Sequence, residues 1–140
     1  MASIHPMPRS PKVQGELVEI RFLLQAASHG LEVAKPWGDS LPYDFVVGRR
    51  GRFHRVQVKS TSTRHCRGYH VSCFRPAGNR PYKKSELDFL AAYVVPEETW
   101  YVIPVRAFAP RKTITVFPHQ LPTRGGRFER FREAWHLLQR

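Results

Sequence analysis

Cysteine is scarce in this sequence of 140 residues. There are two, Cys66 and Cys73, too few for a disulfide framework and without the second pair a zinc site would need. Both are expected to be reduced thiols. Long apolar runs are lacking as well: nothing approaches the roughly 18 consecutive apolar residues of a membrane span. The N-terminal MASIHPMPRSP has Pro and Arg where a signal peptide carries an apolar stretch. The sequence therefore reads as cytoplasmic, with no membrane partner. Internal repeats and a Gly-rich phosphate loop are also missing. His65-Cys66 and His70-x-x-Cys73 offer ligand-like chemistry, but their spacings fit no zinc pattern.

The most telling scarcity is of acid. Between Phe45 and Ser85 there is no Asp or Glu. The same stretch holds Arg49, Arg50, Arg52, Arg55, Lys59, Arg64, Arg67, Arg75, Arg80, Lys83 and Lys84, and the whole chain carries +12. So segregated a charge repels itself until a polyanion neutralises it, and nucleic acid gains by releasing its condensed counterions. Phe53, Tyr69, Phe74 and Tyr82 lie among these cations and are candidates to stack on splayed bases. Apart from Lys59, the cations are the expected nucleic-acid contacts. Trp37, Trp100 and Trp135 are assigned instead to core or interface.

Residues 1–10 read as a flexible arm and 11–140 as a single α/β domain, with a mixed central sheet and a helix at either end. Ser10-Pro11 is an N-cap with proline in the first turn, and Gly30 stands where a left-handed C-cap residue belongs. Between them, Val13, Leu17, Ile20, Leu24 and Ala27 recur at helical spacing and are expected to form the buried stripe. Strands are expected over 31–35, 43–47, 53–60, 69–74, 87–95, 99–105 and 113–117, with a hairpin at Gly48-Arg49-Arg50-Gly51. A terminal helix is expected over 127–138, with Phe128, Phe131, Trp135 and Leu138 on one side. The segments 61–68 and 75–85 read as mobile loops on the basic side.

The chemistry concentrates between Tyr43 and Ser60. Asp44 lies in an apolar segment, Tyr43-Asp44-Phe45-Val46-Val47. Beyond the hairpin comes Val56-Gln57-Val58-Lys59. Side chains alternate along a strand, so the two valines face core while Gln57 and Lys59 share the other face with Asp44. A carboxylate, an amide oxygen and an ammonium on one patch suit metal-assisted phosphoryl transfer. Mg²⁺ takes oxygen ligands, here Asp44, Gln57 and the main-chain carbonyl of Val58, and it lowers the pKa of a bound water. Lys59 would orient that water or stabilise charge growing on the phosphate. A neutral Gln attracts the metal less than an acid does, and either Glu16 or Glu19 of the first helix is placed to add a carboxylate. Asp88, in a later apolar strand, is expected to serve structure by pairing with an Arg.

The run Gly15-Glu16-Leu17-Val18-Glu19, then Gly30, Pro36-Trp37-Gly38-Asp39, Tyr43 to Val47 and Val56-Gln57-Val58-Lys59-Ser60 resembles the PD-(D/E)XK endonucleases. It is closer to the branch encoded by group I introns, in which Gln replaces the second acid, and which is related to archaeal Holliday-junction resolvases. The resemblance implies a restriction-endonuclease-like fold, a central mixed β-sheet flanked by helices. It also implies an active site of Glu19, Asp44, Gln57 and Lys59, with Mg²⁺ as cofactor and Mn²⁺ able to substitute. The substrate implied is DNA, duplex or branched, and assembly is implied as a homodimer or homotetramer. Glu19 rather than Glu16 closes the family's helix pattern. The proline expected immediately before the strand Asp stands one position earlier, at Pro42. Besides a Mg²⁺-dependent DNA endonuclease, the residues are compatible with a non-catalytic nucleic-acid-binding module on the same fold and with an RNA-processing nuclease.

Overall fold

The computed structural model describes residues 10–121 and 126–140; residues 1–9 of the expected arm lie outside them. Ser10 caps the first helix, α1 (Pro11–Ser28), its hydroxyl accepting the Val13 N–H at 3.5 Å, with proline opening the first turn. Gly30 ends it at φ 75°, a conformation that costs a residue without a side chain little.

The buried face of α1 differs from the expected stripe. Val18, Phe22 and Ala26 are at most 1% exposed, whereas Ile20 and Leu24 are 60% and 67% exposed and Val13 is 41% exposed. Ala27 is exposed and Leu17 only half-buried. The helix carries apolar side chains on two faces, and the sheet takes the one bearing Phe22. That ring packs at 5.3 Å from Phe45, 5.7 Å from Trp100 and 5.6 Å from Trp135.

The central sheet is built from β1 (Glu32–Ala34), β2 (Phe45–Arg49), β3 (Arg52–Thr61), β8 (Phe89–Val94) and β9 (Thr99–Pro104), in that spatial order. β2 and β3 form the expected hairpin, closed by Arg50 at φ 54° and Gly51 at φ 79°, the paired positive angles of a two-residue turn that matches strand twist. β3 and β8 are parallel, and the other neighbours are antiparallel. Every residue of β8 is buried, because α1 covers one face of the sheet and a second layer covers the other.

That second layer is the long crossover from β3 to β8 together with the strand after β9. It contains β4 (Arg64–His65), β5 (Gly68–Ser72), β6 (Phe74–Arg75) and β7 (Arg80–Pro81), then α2 (Val105–Phe108) and β10 (Thr113–Val116). β10, β5 and β4 make a three-stranded sheet, and β6 pairs with β7. The segments expected to be loops, 61–68 and 75–85, are mostly turns and irregular backbone, but short paired strands interrupt them. Tyr69 and Tyr82, 2% and 3% exposed, sit in this core rather than on a stacking surface.

The expected terminal helix is two short 3₁₀ turns, Glu129–Phe131 and Trp135–Gln139. Between them the backbone turns to the open edge of β9. Glu133 N–H donates to Trp100 O, Trp100 N–H donates to the Glu133 carboxylate, and Arg132 bridges to Tyr101. Capping an edge strand outweighs continuing a helix, and the expected apolar side (Phe128, Phe131, Trp135, Leu138) is buried all the same. Among the described residues, no helix is long and apolar enough to cross a membrane.

Candidate active site

β2 and β3 pair from Arg49–Arg52 at the hairpin down to Phe45–Val56, and there they part. Asp44 stands at the fork, just before β2. Its N–H still reaches Val56 O at 2.9 Å, while its Oδ2 accepts the Val58 N–H at 2.8 Å in place of a ladder partner. Past the fork, among the described residues, β3 keeps only β8 beside it, Gln57 opposite Leu90 and Lys59 opposite Ala92, and the other edge of 57–60 has no strand partner. The alternation expected of this strand holds. Val56 and Val58 are 0% and 9% exposed in the core under α1, and Gln57 and Lys59 take the other direction, half-buried.

Four contacts orient the polar groups. Gln57 Nε2 donates to Pro42 O at 2.7 Å. Lys59 Nζ donates to Phe74 O at 3.5 Å and lies 5.6 Å from the centre of the Tyr82 ring. Glu19 Oε1, from α1, accepts Lys35 Nζ at 2.9 Å. Glu19, Asp44, Gln57, Val58 and Lys59 line one cleft of about 270 Å³ with Gly15, Val18 and Ser60. Glu16 does not line this cleft; it borders an apolar hollow between α1 and Phe45, which Glu19 also lines. A larger groove, about 510 Å³, is lined by Arg106, Arg130 and His136 and shares no residue with this cleft.

Burial dominates the electrostatics of the cleft. Burial pushes the Asp44 carboxyl up to about 6; the Val58 hydrogen bond opposes this, nearby Glu19 reinforces it, and Lys35 and Lys59 pull the other way. Burial also holds the Lys59 ammonium below its ordinary range, against the attraction of Asp44. Among the described residues, no group of three His, Cys, Asp or Glu side chains gathers as a metal cage. The oxygen set present is two carboxylates, one amide and a main-chain carbonyl. The amide fits a cation because its nitrogen is committed to Pro42, which leaves Oε1 as its free acceptor. Mixed oxygen donors of this kind suit Mg²⁺.

The expected nucleic-acid contacts divide. Arg55 is held by Asp88 at 3.1 Å, the pairing foreseen for that acid, and Arg75 and Arg80 both close on Glu86, at 3.1 and 2.6 Å. Each of these three is thus paired with a carboxylate. Arg64 donates to Tyr69 OH at 3.0 Å. Arg50, Arg52, Arg67, Lys83 and Lys84 are exposed, and Arg49 is half-buried. Phe53 is 46% exposed, and Trp37, expected in core or interface, is 99% exposed, while Trp100 and Trp135 are buried. Both cysteines are free thiols, Cys66 exposed and Cys73 buried. Lys35, Pro42 and Phe74 were not legible as site neighbours. Only Pro42 had left a trace, as a proline one position early.

A family model for PD-(D/E)XK endonucleases matches residues 9–138. No curated protein is similar enough to match. Among solved structures, the bacterial homing endonuclease I-Ssp6803I is 35% identical with a TM-score of 0.76, over 91% of this chain and 90% of that one. Hjc, a Holliday junction resolvase from Archaeoglobus fulgidus, is 17% identical with a TM-score of 0.50, over 73% of this chain and 84% of its own; that likeness concerns the fold. The mixed sheet flanked by helices is thus that of a known architecture, and the chain belongs to the PD-(D/E)XK endonuclease family.

Proposed function

We propose that this protein is a Mg²⁺-dependent endonuclease that hydrolyses phosphodiester bonds in DNA, with Glu19, Asp44, Gln57 and Lys59 as its active-site residues. One observation carries the reading: these four side chains, from a helix, the segment before β2 and the strand β3, line a single cleft at the strand fork. Asp44, Gln57 Oε1, Glu19 and the Val58 carbonyl would hold the cation, which supplies Lewis acidity and a more acidic water. Mn²⁺ offers the same coordination chemistry. Lys59, set by Phe74 O and the Tyr82 ring, presents its ammonium to the phosphate or the attacking water. The exposed cations Arg50, Arg52, Arg67, Lys83 and Lys84 serve as contacts to the DNA backbone, and Arg64 and the half-buried Arg49 add to them.

The test is a cleavage assay on duplex and branched DNA, with and without Mg²⁺. Asp44→Ala and Lys59→Ala should each lose cleavage by at least about 10²-fold while binding DNA nearly as well as the wild type. Cleavage that survives Asp44→Ala in Mg²⁺ would sink the reading. The neutral Gln57 favours one rival, a binding module without catalysis. Salt-sensitive DNA binding with no metal-stimulated cutting by the wild type would establish that rival.

Assembly into a homodimer or homotetramer belongs to the same proposal. The apolar face that α1 leaves uncovered, with Ile20 and Leu24, supports it.

A further inference from the structure

Pro42, one position earlier than the pattern this sequence resembles, and Gln57, where most of that superfamily carries an acid, meet in one hydrogen bond of 2.7 Å. A backbone carbonyl only accepts, so whatever stands opposite Pro42 O must bring a hydrogen. The carbonyl is not free to turn away. Two residues on, Asp44 is tied to β3 twice, N–H to Val56 O at 2.9 Å and Oδ2 to Val58 N–H at 2.8 Å, and proline narrows the backbone angles at position 42 itself. The 42–44 segment is thereby clamped along the strand that carries Gln57.

We infer that the Pro42 carbonyl is a positioning group that selects an amide at position 57, turning its oxygen to the cation and making the neutral side chain a requirement of this backbone. The inference rests on the cleft being a metal site. A glutamate at 57 would set two acceptors against each other in a half-buried place with no proton between them. It would have to leave the place the amide occupies, and its extra negative charge would not be delivered where the cation sits. Gln57 is therefore not a weakened acid awaiting reversion.

The experiment compares the full-length wild type with Gln57→Glu and Gln57→Met at neutral pH. Melting is followed without metal, and Mg²⁺ binding by calorimetry. Methionine keeps the size of the side chain and adds no charge. Gln57→Glu should melt below both other proteins, by at least about 4 °C relative to the wild type. It should bind Mg²⁺ no more tightly than the wild type, and several-fold more weakly if the carboxylate swings clear. A Gln57→Glu protein that melts like the wild type, or that binds Mg²⁺ more tightly, overturns the inference. So does Gln57→Met destabilised as much as Gln57→Glu, because the loss is then one of packing. A wild type that binds no Mg²⁺ removes the metal-site reading instead, while the order of melting temperatures still decides whether Pro42 demands an amide.

Discussion

Asp44 shows at a single residue how a site is held at the expense of its fold. Burial disfavours its ionised form, and one hydrogen bond from Val58 does not compensate, so its pKa lies at about 6 against an ordinary 3.8. The sign follows directly. A carboxyl whose folded pKa exceeds its unfolded one favours folding only while protonated, so stability falls as pH rises from about 4 through about 6 and the penalty is complete above that. For a group only partly buried, the cost at neutral pH is about 1–2 kcal/mol. Asparagine keeps an oxygen for the Val58 N–H without the charge. Asp44→Asn should therefore melt higher than the wild type at pH 8 in chelator, with the advantage gone by about pH 4. Equal melting at pH 8 would show that the buried charge costs nothing. Asp44, Gln57 and Lys59 were legible as a group because strand alternation and a two-residue hairpin are local geometry. Trp37 was not, since nothing local distinguishes an exposed indole from the buried Trp100 and Trp135.

At the scale of elements, the ribbon of β6 and β7 depends on Glu86. Its carboxylate accepts from Arg75, from both Arg80 nitrogens and from the Lys83 N–H. These partners, Arg80 foremost, hold its pKa down at about 2. A depressed carboxyl contributes stability that is present above its ordinary value of 4.5 and lost as pH falls from there toward about 2. The ribbon carries Phe74, whose carbonyl receives Lys59, so its integrity bears on the site. Glu86→Gln should speed amide hydrogen exchange across 74–83 at neutral pH, and the wild type should show the same loosening on acidification toward pH 2. Unchanged exchange in the variant would mean that backbone pairing alone holds the ribbon. That these cations pair with Glu86 was not legible in the sequence, because charge pairing between separated residues has no local signature. The helix face was misjudged for a related reason. α1 is apolar along both Val18-Phe22-Ala26 and Ile20-Leu24, and periodicity cannot say which of them meets the sheet.

For the whole molecule, the exposed stripe on α1 and the net charge of +12 pull in opposite directions. Exposed apolar surface favours association, while like charge opposes it until nucleic acid or salt screens it. If a second copy covers Ile20 and Leu24, the double change Ile20→Ser and Leu24→Ser should shift the protein toward monomer in sedimentation at micromolar concentration. Its melting temperature in the monomeric state should barely change, because neither side chain is in the core. A wild type that sediments as a monomer at moderate salt excludes this surface as a self-association face.

The sequence alone determined what short-range physics controls: the capped first helix, the hairpin, the alternation that sorts valines from Gln57 and Lys59, and an acid-free stretch suited to a polyanion. Tertiary structure decided what depends on residues far apart in the chain. It chose the helix face that is buried and the cations that pair with Glu86 and Asp88. It also turned the C-terminal segment from helix into an edge cap on β9, and set Pro42 O against Gln57. The physical reason is the same throughout. Periodicity and turn chemistry act within a few residues, whereas burial and charge pairing are settled only when strands such as β3 and β8, about thirty residues apart in sequence, lie side by side.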